Sequence, residues 1–343
     1  MNAGADKQAL EQQLALATDL GGRREEPFGL HLALAIAQHG EIVAEVYGPT
    51  AGPVTPLISW SMAKSVTHAM VGLLVDEGVL DTAAPAQVPE WAGDRRSAIT
   101  LQHLLEMTSG LAFVEDYTDD DVSSVIEMLF GDGKGDVAGY AASFPLIHEP
   151  GSVFNYSSGT TNIISAICDR VIKANDLAES SEGFLDQRLF QPLGMTSATV
   201  RCDDQGTFIG SSFVFATARD FASFGQLYLD DGLVRGPGGA TRRLLPEGWV
   251  EHARTPVRPP VPERHWFGAH WWLWDENCDP GPDGVGFDCS DINGFAAHGH
   301  EGQYTLVVPD RDLVVVRLGK TPVEQLPEVR AWIADIVRCF PPT

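Results

Sequence analysis

The order of apolar and polar positions divides the chain into a strand-rich beginning, a helical middle and a strand-rich end. Residues 7–19 read as a helix, and the apolar runs 30–36 and 41–47 flank His39-Gly40, which predicts a hairpin over 29–47. A Gly- and Pro-rich connector, 48–56, leads into a run in which Ala63, Val66, Ala69, Met70 and Leu73 recur at steps of three and four. That spacing predicts a helix extending towards Val79. The Ala- and Pro-rich stretch 81–91 reads as a loop. Residues 100–107 form a helix with a capping-type start, ended by Thr108-Ser109-Gly110. Helices at about 121–130, 161–172, 182–191, 217–229 and 246–254 fill the middle of the chain. Strand character returns at 266–274 and at 304–318, the latter a hairpin closed at Pro309-Asp310-Arg311-Asp312, and a helix covers 322–339.

With strands at both ends, the sheet must draw on both. The expected architecture is an α/β domain built from 1–80 and 255–343, carrying a mainly helical domain, 81–254. There is no internal repeat.

Composition narrows the function classes. Of the 343 residues, 44% are hydrophobic and 20% charged, ordinary for a globular protein able to bury a sizeable core. The formal net charge of −24 repels phosphate backbones and anionic lipids, so neither nucleic acid nor membrane is an expected partner. Asp119-Asp120-Asp121 reads as a solvated helix cap, and no metal or organic cofactor is expected. The five cysteines are widely spaced with no Cys-x-x-Cys pair, which argues against a disulfide framework and a zinc knuckle. Cys278 and Cys289 could pair, but the reduced state is expected. Without a basic start followed by an apolar core, or an apolar run of spanning length, the expected location is cytoplasmic.

Candidate chemistry begins at Ser61, three residues before Lys64 at the start of the first long apolar helix. Residues three apart share a helical face, so the amine reaches the hydroxyl. Unpaired N–H groups and the helix dipole add positive potential there, which favours a neutral lysine and can stabilise an oxyanion. A desolvated lysine is a base able to activate a serine nucleophile. Ser-x-x-Lys is short, and the bland alternative is a surface helix start with an incidental lysine. Other hydrolase signatures are missing from the sequence, with neither Gly-x-Ser-x-Gly nor His-Glu-x-x-His present. Further along come Tyr156, in a loop entering a helix, and His298-Gly299-His300-Glu301-Gly302-Gln303, just before a strand. A tyrosine near a lysine can pass a proton to a leaving group, and a glycine-flanked strand edge can supply an oxyanion donor.

Taken together, these blocks resemble the serine β-lactamase and penicillin-binding-protein superfamily. Within it they are most similar to the class C-like branch of family VIII carboxylesterases and 6-aminohexanoate-dimer hydrolases. The likeness rests on Ser61-Met62-Ala63-Lys64, 101–111, 150–160, 210–220 and Gly302-Gln303-Tyr304. It implies a β-lactamase/transpeptidase-like fold, an antiparallel sheet flanked by helices plus the helical domain. By resemblance Ser61 is the acylated nucleophile, Lys64 its base and Tyr156 the tyrosine of the second motif. The N–H groups of Ser61 and His300 would form the oxyanion hole. Two departures stand out. The second motif, usually Tyr-x-Asn, reads Tyr156-Ser157-Ser158, which puts Ser158 forward as a substrate contact. The third, usually Lys-Thr-Gly, reads Ala297-His298-Gly299 in the preferred register, with His300-Glu301-Gly302 as the alternative. Since that lysine helps hold a β-lactam carboxylate, its loss favours esters or linear amides. Tyr117, Trp272 and His298 complete the expected substrate-binding set. Glu115-Asp116-Tyr117 could border the cleft, and the remaining histidines read as packing or surface residues.

The expected function is therefore a serine hydrolase forming an acyl-enzyme on small esters or linear amides, of carboxylesterase or 6-aminohexanoate-oligomer hydrolase type. The alternatives are a β-lactamase or DD-peptidase, or a catalytically silent binding protein on the same fold. The oligomeric state stays open.

Overall fold

His39 and Gly40, both at positive φ (54° and 79°), turn β1 (Leu30–Gln38) back into β2 (Glu41–Tyr47), as the Gly-containing turn predicts. The computed structural model describes residues 5–19, 28–116, 123–236, 240–257, 266–274 and 288–343. The short strands β3 (Leu57–Ile58), β4 (Thr199–Val200) and β5 (Val214–Ala216) form a small sheet in the order β3-β5-β4. Strands β6 (Leu233–Arg235) and β7 (Thr241–Arg243) pair with each other. At the far end, β8 (Trp272–Trp274), β9 (Gly294–Gly299), β10 (Gln303–Val308) and β11 (Leu313–Lys320) join the first hairpin. The result is a six-stranded antiparallel sheet in the order β2-β1-β11-β10-β9-β8.

Strand alternation assigns the two faces of this sheet to two cores. Ala33, Ala35, Val307, Val314 and Val316 pack with α2 (Ala63–Asp76). Leu34, Ile36, Leu306, Val308 and Val315 pack instead with α10 (Leu326–Arg338). The N-terminal helix α1 (Lys7–Asp19) lies on that second side, where the N–H of the preceding Asp6 donates to Cys339 O at 2.8 Å. Between the sheet segments run α3 (Leu101–Leu105), α4 (Ser124–Phe130), α5 (Val137–Ala142), α6 (Ser158–Ala174), α7 (Ser181–Leu185), α8 (Ala218–Leu229) and α9 (Trp249–Arg254). α8 packs on β1, β10 and β11, so a helix from the middle of the chain helps cover the sheet.

Several expectations change in detail. The helix expected at 182–191 is α7 followed by a π turn over Asp186–Phe190. The sequence reading passed over β9, because Gly-Phe-Ala-Ala-His-Gly has little intrinsic strand preference and is held by its neighbours β8 and β10. The expected reduced state is corrected at one position: Cys289 is disulfide-bonded, whereas Cys168, Cys202 and Cys339 are free. No helix among the described residues is long and apolar enough to cross a membrane.

Candidate active site

Ser59 anchors the segment that presents the candidate nucleophile. Its N–H donates to Val214 O at 2.8 Å, and its Oγ accepts from Val214 N at 3.1 Å. This extends the β3–β5 pairing up to the 3-10 turn Trp60–Met62, which runs directly into α2. Trp60 adopts φ 45°, a left-handed conformation that costs energy in a non-glycine residue and is typical of constrained functional turns. β9 closes in from the other side: a Cβ on Gly299 would lie 2.2 Å from Ser59 O, so only glycine fits.

Lys64, in the first turn of α2, is only 2% exposed, and its Nζ has three partners. It lies 3.0 Å from Ser61 Oγ, 2.9 Å from Ser158 Oγ and 3.1 Å from Ser211 O. Burial lowers its pKa from about 10.5 to about 8, while the Glu115 charge pulls the other way. About a tenth of the amine is therefore neutral at pH 7. Tyr156 hydrogen-bonds Ser61, and its ring centroid lies 4.9 Å from Lys64 Nζ. Burial, reinforced by Glu115, pushes the Tyr156 phenol well above its ordinary range. Of the two groups the lysine is the more readily deprotonated, and the tyrosine stays protonated.

Ser158 begins α6, whose N-cap Ser157 accepts from Thr160 N at 3.1 Å. Glu115 accepts from Ser158 N at 2.7 Å and from Ser158 Oγ at 2.6 Å. A carboxylate at a helix N-terminus is favoured by the dipole as well as by these bonds. Asn155 Nδ2 donates to Phe113 O at 2.9 Å, which holds the Glu115 segment beside the second motif.

The third motif is a three-residue loop between Gly299 and its pairing partner Gln303. Glu301 and Gly302 take φ 60° and 78°. The loop is clamped from beneath: the buried Arg317 donates from Nη1 to Gly302 O at 2.8 Å, and Gln303 Nε2 donates to His300 O at 2.9 Å. Ser61, Trp60, His300, Glu301 and Ser212 border a cavity of about 250 Å³, whose other wall is Val125, Ile126, Leu129 and Phe130. A larger groove of about 780 Å³ lies between 79–101 and 167–175, but it contains no paired nucleophile and base. Chemistry, not volume, identifies the candidate.

The expected residues separate into groups. Ser61, Lys64, Tyr156 and Ser158 come together, and His300 borders the same cavity as Ser61. Ser158 is fully buried, so its contacts are Lys64 and Glu115 rather than the cavity. His298, expected to meet substrate, turns to the other face of β9: its Nε2 accepts from Trp274 Nε1 at 2.7 Å, and its ring packs on Tyr304 at 4.8 Å. Trp272 stacks on His298 at 5.4 Å and on Tyr156 at 5.3 Å, which makes it a support for the tyrosine. Ala297 is 1% exposed in the core shared with α2. Of the two stretches, His300 and Glu301 border the cavity, whereas Ala297-His298-Gly299 lies on β9, with Gly299 against Ser59. Tyr117 lies outside the described residues. Ser211 and Gln303 were read only as parts of the matched blocks, Arg317 was not singled out, and Glu115 was placed only at the border of the cleft. Among the described residues no group of three or more His, Cys, Asp or Glu is placed to hold a metal.

Known proteins share sequence and fold with this chain. Residues 29–338 match the family model described as Beta-lactamase. The 6-aminohexanoate-dimer hydrolase of Paenarthrobacter ureafaciens is 28% identical over 339 residues, spanning 93% of this chain and 79% of that one. A Bacillus anthracis structure, provisionally described as a 6-aminohexanoate-dimer hydrolase, superposes with TM-score 0.74 at 21% identity, covering 91% of this chain and 81% of its own. A family VIII carboxylesterase superposes with TM-score 0.70 at 14% identity, covering 98% of each chain.

Proposed function

Because the chain belongs to the beta-lactamase family, we propose that it is a serine hydrolase forming a covalent acyl-enzyme on small esters or linear amides. In this reading neutral Lys64 removes the Ser61 proton, and Oγ forms a bond to the substrate carbonyl carbon. The oxyanion is held by the N–H groups of Ser61 and His300. As the intermediate collapses, the carbonyl carbon loses the leaving group, which takes a proton by way of Tyr156. Water then repeats the sequence, giving its proton to the same base and freeing Ser61. The carrying observation is the buried Lys64 amine 3.0 Å from Ser61 Oγ.

The lining of the cavity supports the choice of substrate. Five of its residues are apolar, none of the described ones is lysine or arginine, and Glu301 adds a carboxylate held by Trp60 Nε1 at 3.3 Å. A β-lactam brings its own carboxylate and would meet repulsion there. Neutral short-chain acyl groups fit this lining, as does an acyl chain ending in an ammonium, the 6-aminohexanoyl type. The β-lactamase and DD-peptidase readings rank second for this reason. The silent-scaffold reading is disfavoured by the Ser61, Lys64 and Tyr156 set.

Turnover of p-nitrophenyl butyrate, 6-aminohexanoate dimer and nitrocefin tests the proposal. The ester or the linear amide is expected to exceed nitrocefin in kcat/KM by about a hundredfold or more, about 3 kcal/mol of transition-state discrimination. Equal values for nitrocefin and the ester would reinstate the β-lactamase reading.

A further inference from the structure

We propose that Glu115 is a positioning residue that aims the Lys64 lone pair at Ser61 by fixing the direction of the Ser158 hydroxyl. The inference rests on the acyl-enzyme reading above and concerns how its base is oriented.

It follows from counting hydrogens. A serine hydroxyl has one hydrogen to give and two lone pairs to receive with, whereas an ionised carboxylate and a backbone carbonyl only receive. Ser158 Oγ lies 2.6 Å from Glu115 Oε1, so its hydrogen is committed to the carboxylate. Towards Lys64, 2.9 Å away, Ser158 can then only accept. Ser211 O, 3.1 Å from Nζ, is likewise only an acceptor. The protonated amine has three N–H groups for its three neighbours. Once neutral it keeps two, and two neighbours can do nothing but receive them. Ser61 is the one neighbour with a hydrogen to give, so the lone pair faces Ser61 Oγ. Base and nucleophile are aligned by elimination.

Without the carboxylate the Ser158 rotor is undirected. Its hydrogen can turn to the Lys64 lone pair and occupy the electron pair that should take the Ser61 proton. An amide oxygen at this position would need no director, because it cannot donate. Here Ser158 and Glu115 together supply what a lone asparagine would. Glu115 is held for the task at both oxygens, since Oε2 also accepts from Ser158 N at 2.7 Å. Among the described residues the titratable groups around the amine are Glu115, Tyr156 and His270. Tyr156 is kept protonated by burial, and His270 is kept neutral with its Nδ1 2.7 Å from Leu105 O.

Glu115→Gln is the informative variant, because it is isosteric. Its amide oxygen can still accept from Ser158 N, which leaves its NH2 facing Ser158 Oγ and drives the hydroxyl hydrogen towards Lys64. The expected result is a fall of about ten- to a hundredfold in the high-pH plateau of kcat for p-nitrophenyl butyrate, with little change in KM. The acidic limb should move to lower pH, because the negative charge that favoured the ammonium is gone. Loss of charge alone would leave the plateau intact and raise activity below pH 7, so the two effects are separable. In a Ser158→Asn background, adding Glu115→Gln should change the plateau by less than about threefold, since the asparagine carbonyl only accepts. A plateau unchanged in Glu115→Gln, or an equal loss in both backgrounds, overturns the positioning role. Fluorophosphonate labelling of the unmodified protein separates that failure from failure of the acyl-enzyme reading, because only the latter abolishes an adduct on Ser61.

Discussion

Lys64 and His68 sit one turn apart on α2, each at the centre of a buried polar cluster, yet the two clusters are built to different ends. Around His68 every contact closes inward. Its Nδ1 lies 2.8 Å from Tyr228 Oη, its ring stacks on Trp249 at 4.7 Å, and Nε2 approaches His252 Nδ1 at 3.4 Å. Burial holds His68 well below the usual histidine range, so it stays neutral. Around Lys64 the contacts are directional, a carboxylate stands behind them, and Ser61 borders a cavity. Burial perturbs the proton affinity of both groups, so perturbation alone does not mark a reactive site. What distinguishes the Lys64 cluster is a hydrogen available to move and a space for the atom that receives it.

The comparison breaks most sharply at the nucleophile. Ser61→Ala and Lys64→Ala should each lower kcat for p-nitrophenyl butyrate by at least about 10⁴-fold, and the double variant should be little worse, because the pair acts as a unit. Near-normal turnover in Lys64→Ala at pH 7 would reduce Lys64 to a structural lysine like its neighbour cluster.

The next effect is in pH. Below the folded pKa of about 8 the amine is increasingly protonated and unable to act as base, so kcat/KM should rise about tenfold per pH unit from pH 6 and level above 8. The total change over that range is about a hundredfold. A profile flat from pH 5.5 to 7.5 would mean that Lys64 is not the titrating base.

A smaller effect tests the cavity. Glu301→Gln removes the carboxylate from its wall and should raise the ratio of anionic to neutral ester turnover by about three- to tenfold, an effect that salt weakens. An unchanged ratio would show that Glu301 does not face the acyl group.

The smallest effect on activity belongs to the sealed cluster. In Gly72→Ala the new Cβ would meet Trp249 Nε1 at 2.5 Å and disturb the ring covering His68. Overpacking of this kind costs about 1–3 kcal/mol, which exceeds the roughly 1 kcal/mol that alanine gains over glycine in a helix. The thermal midpoint should fall by several degrees, with kcat within about threefold of the parent at a temperature where both are folded. A large loss of kcat in the folded variant would tie the two clusters together.

How much of this was legible in the sequence depended on distance along the chain. The strands β1, β2, β10 and β11 announce themselves as apolar runs around turns, and Ser61 and Lys64 are only one helical turn apart. That the sheet draws on both ends follows from the same pattern. The site's supporting contacts are long-range. Glu115 meets Ser158 across 43 positions and Ser211 meets Lys64 across 147, and no spacing rule reaches that far. For a related reason Ser158 and His298, expected to meet substrate, lie away from the cavity that Ser61 borders. One is buried by the start of α6, and the other lies on β9, whose weak strand preference hid the alternation that turns its side chain away from the cavity. The reduced-cysteine expectation failed at Cys289, since wide spacing in sequence does not preclude a bond.

Mass spectrometry of the intact chain after exposure to a fluorophosphonate at pH 8, followed by peptide mapping, tests the central claim most directly. The account predicts one adduct, located on Ser61, formed rapidly in the unmodified protein and at least about a hundredfold more slowly in Lys64→Ala. No adduct, an adduct on another residue, or equal labelling rates in the two proteins would contradict it.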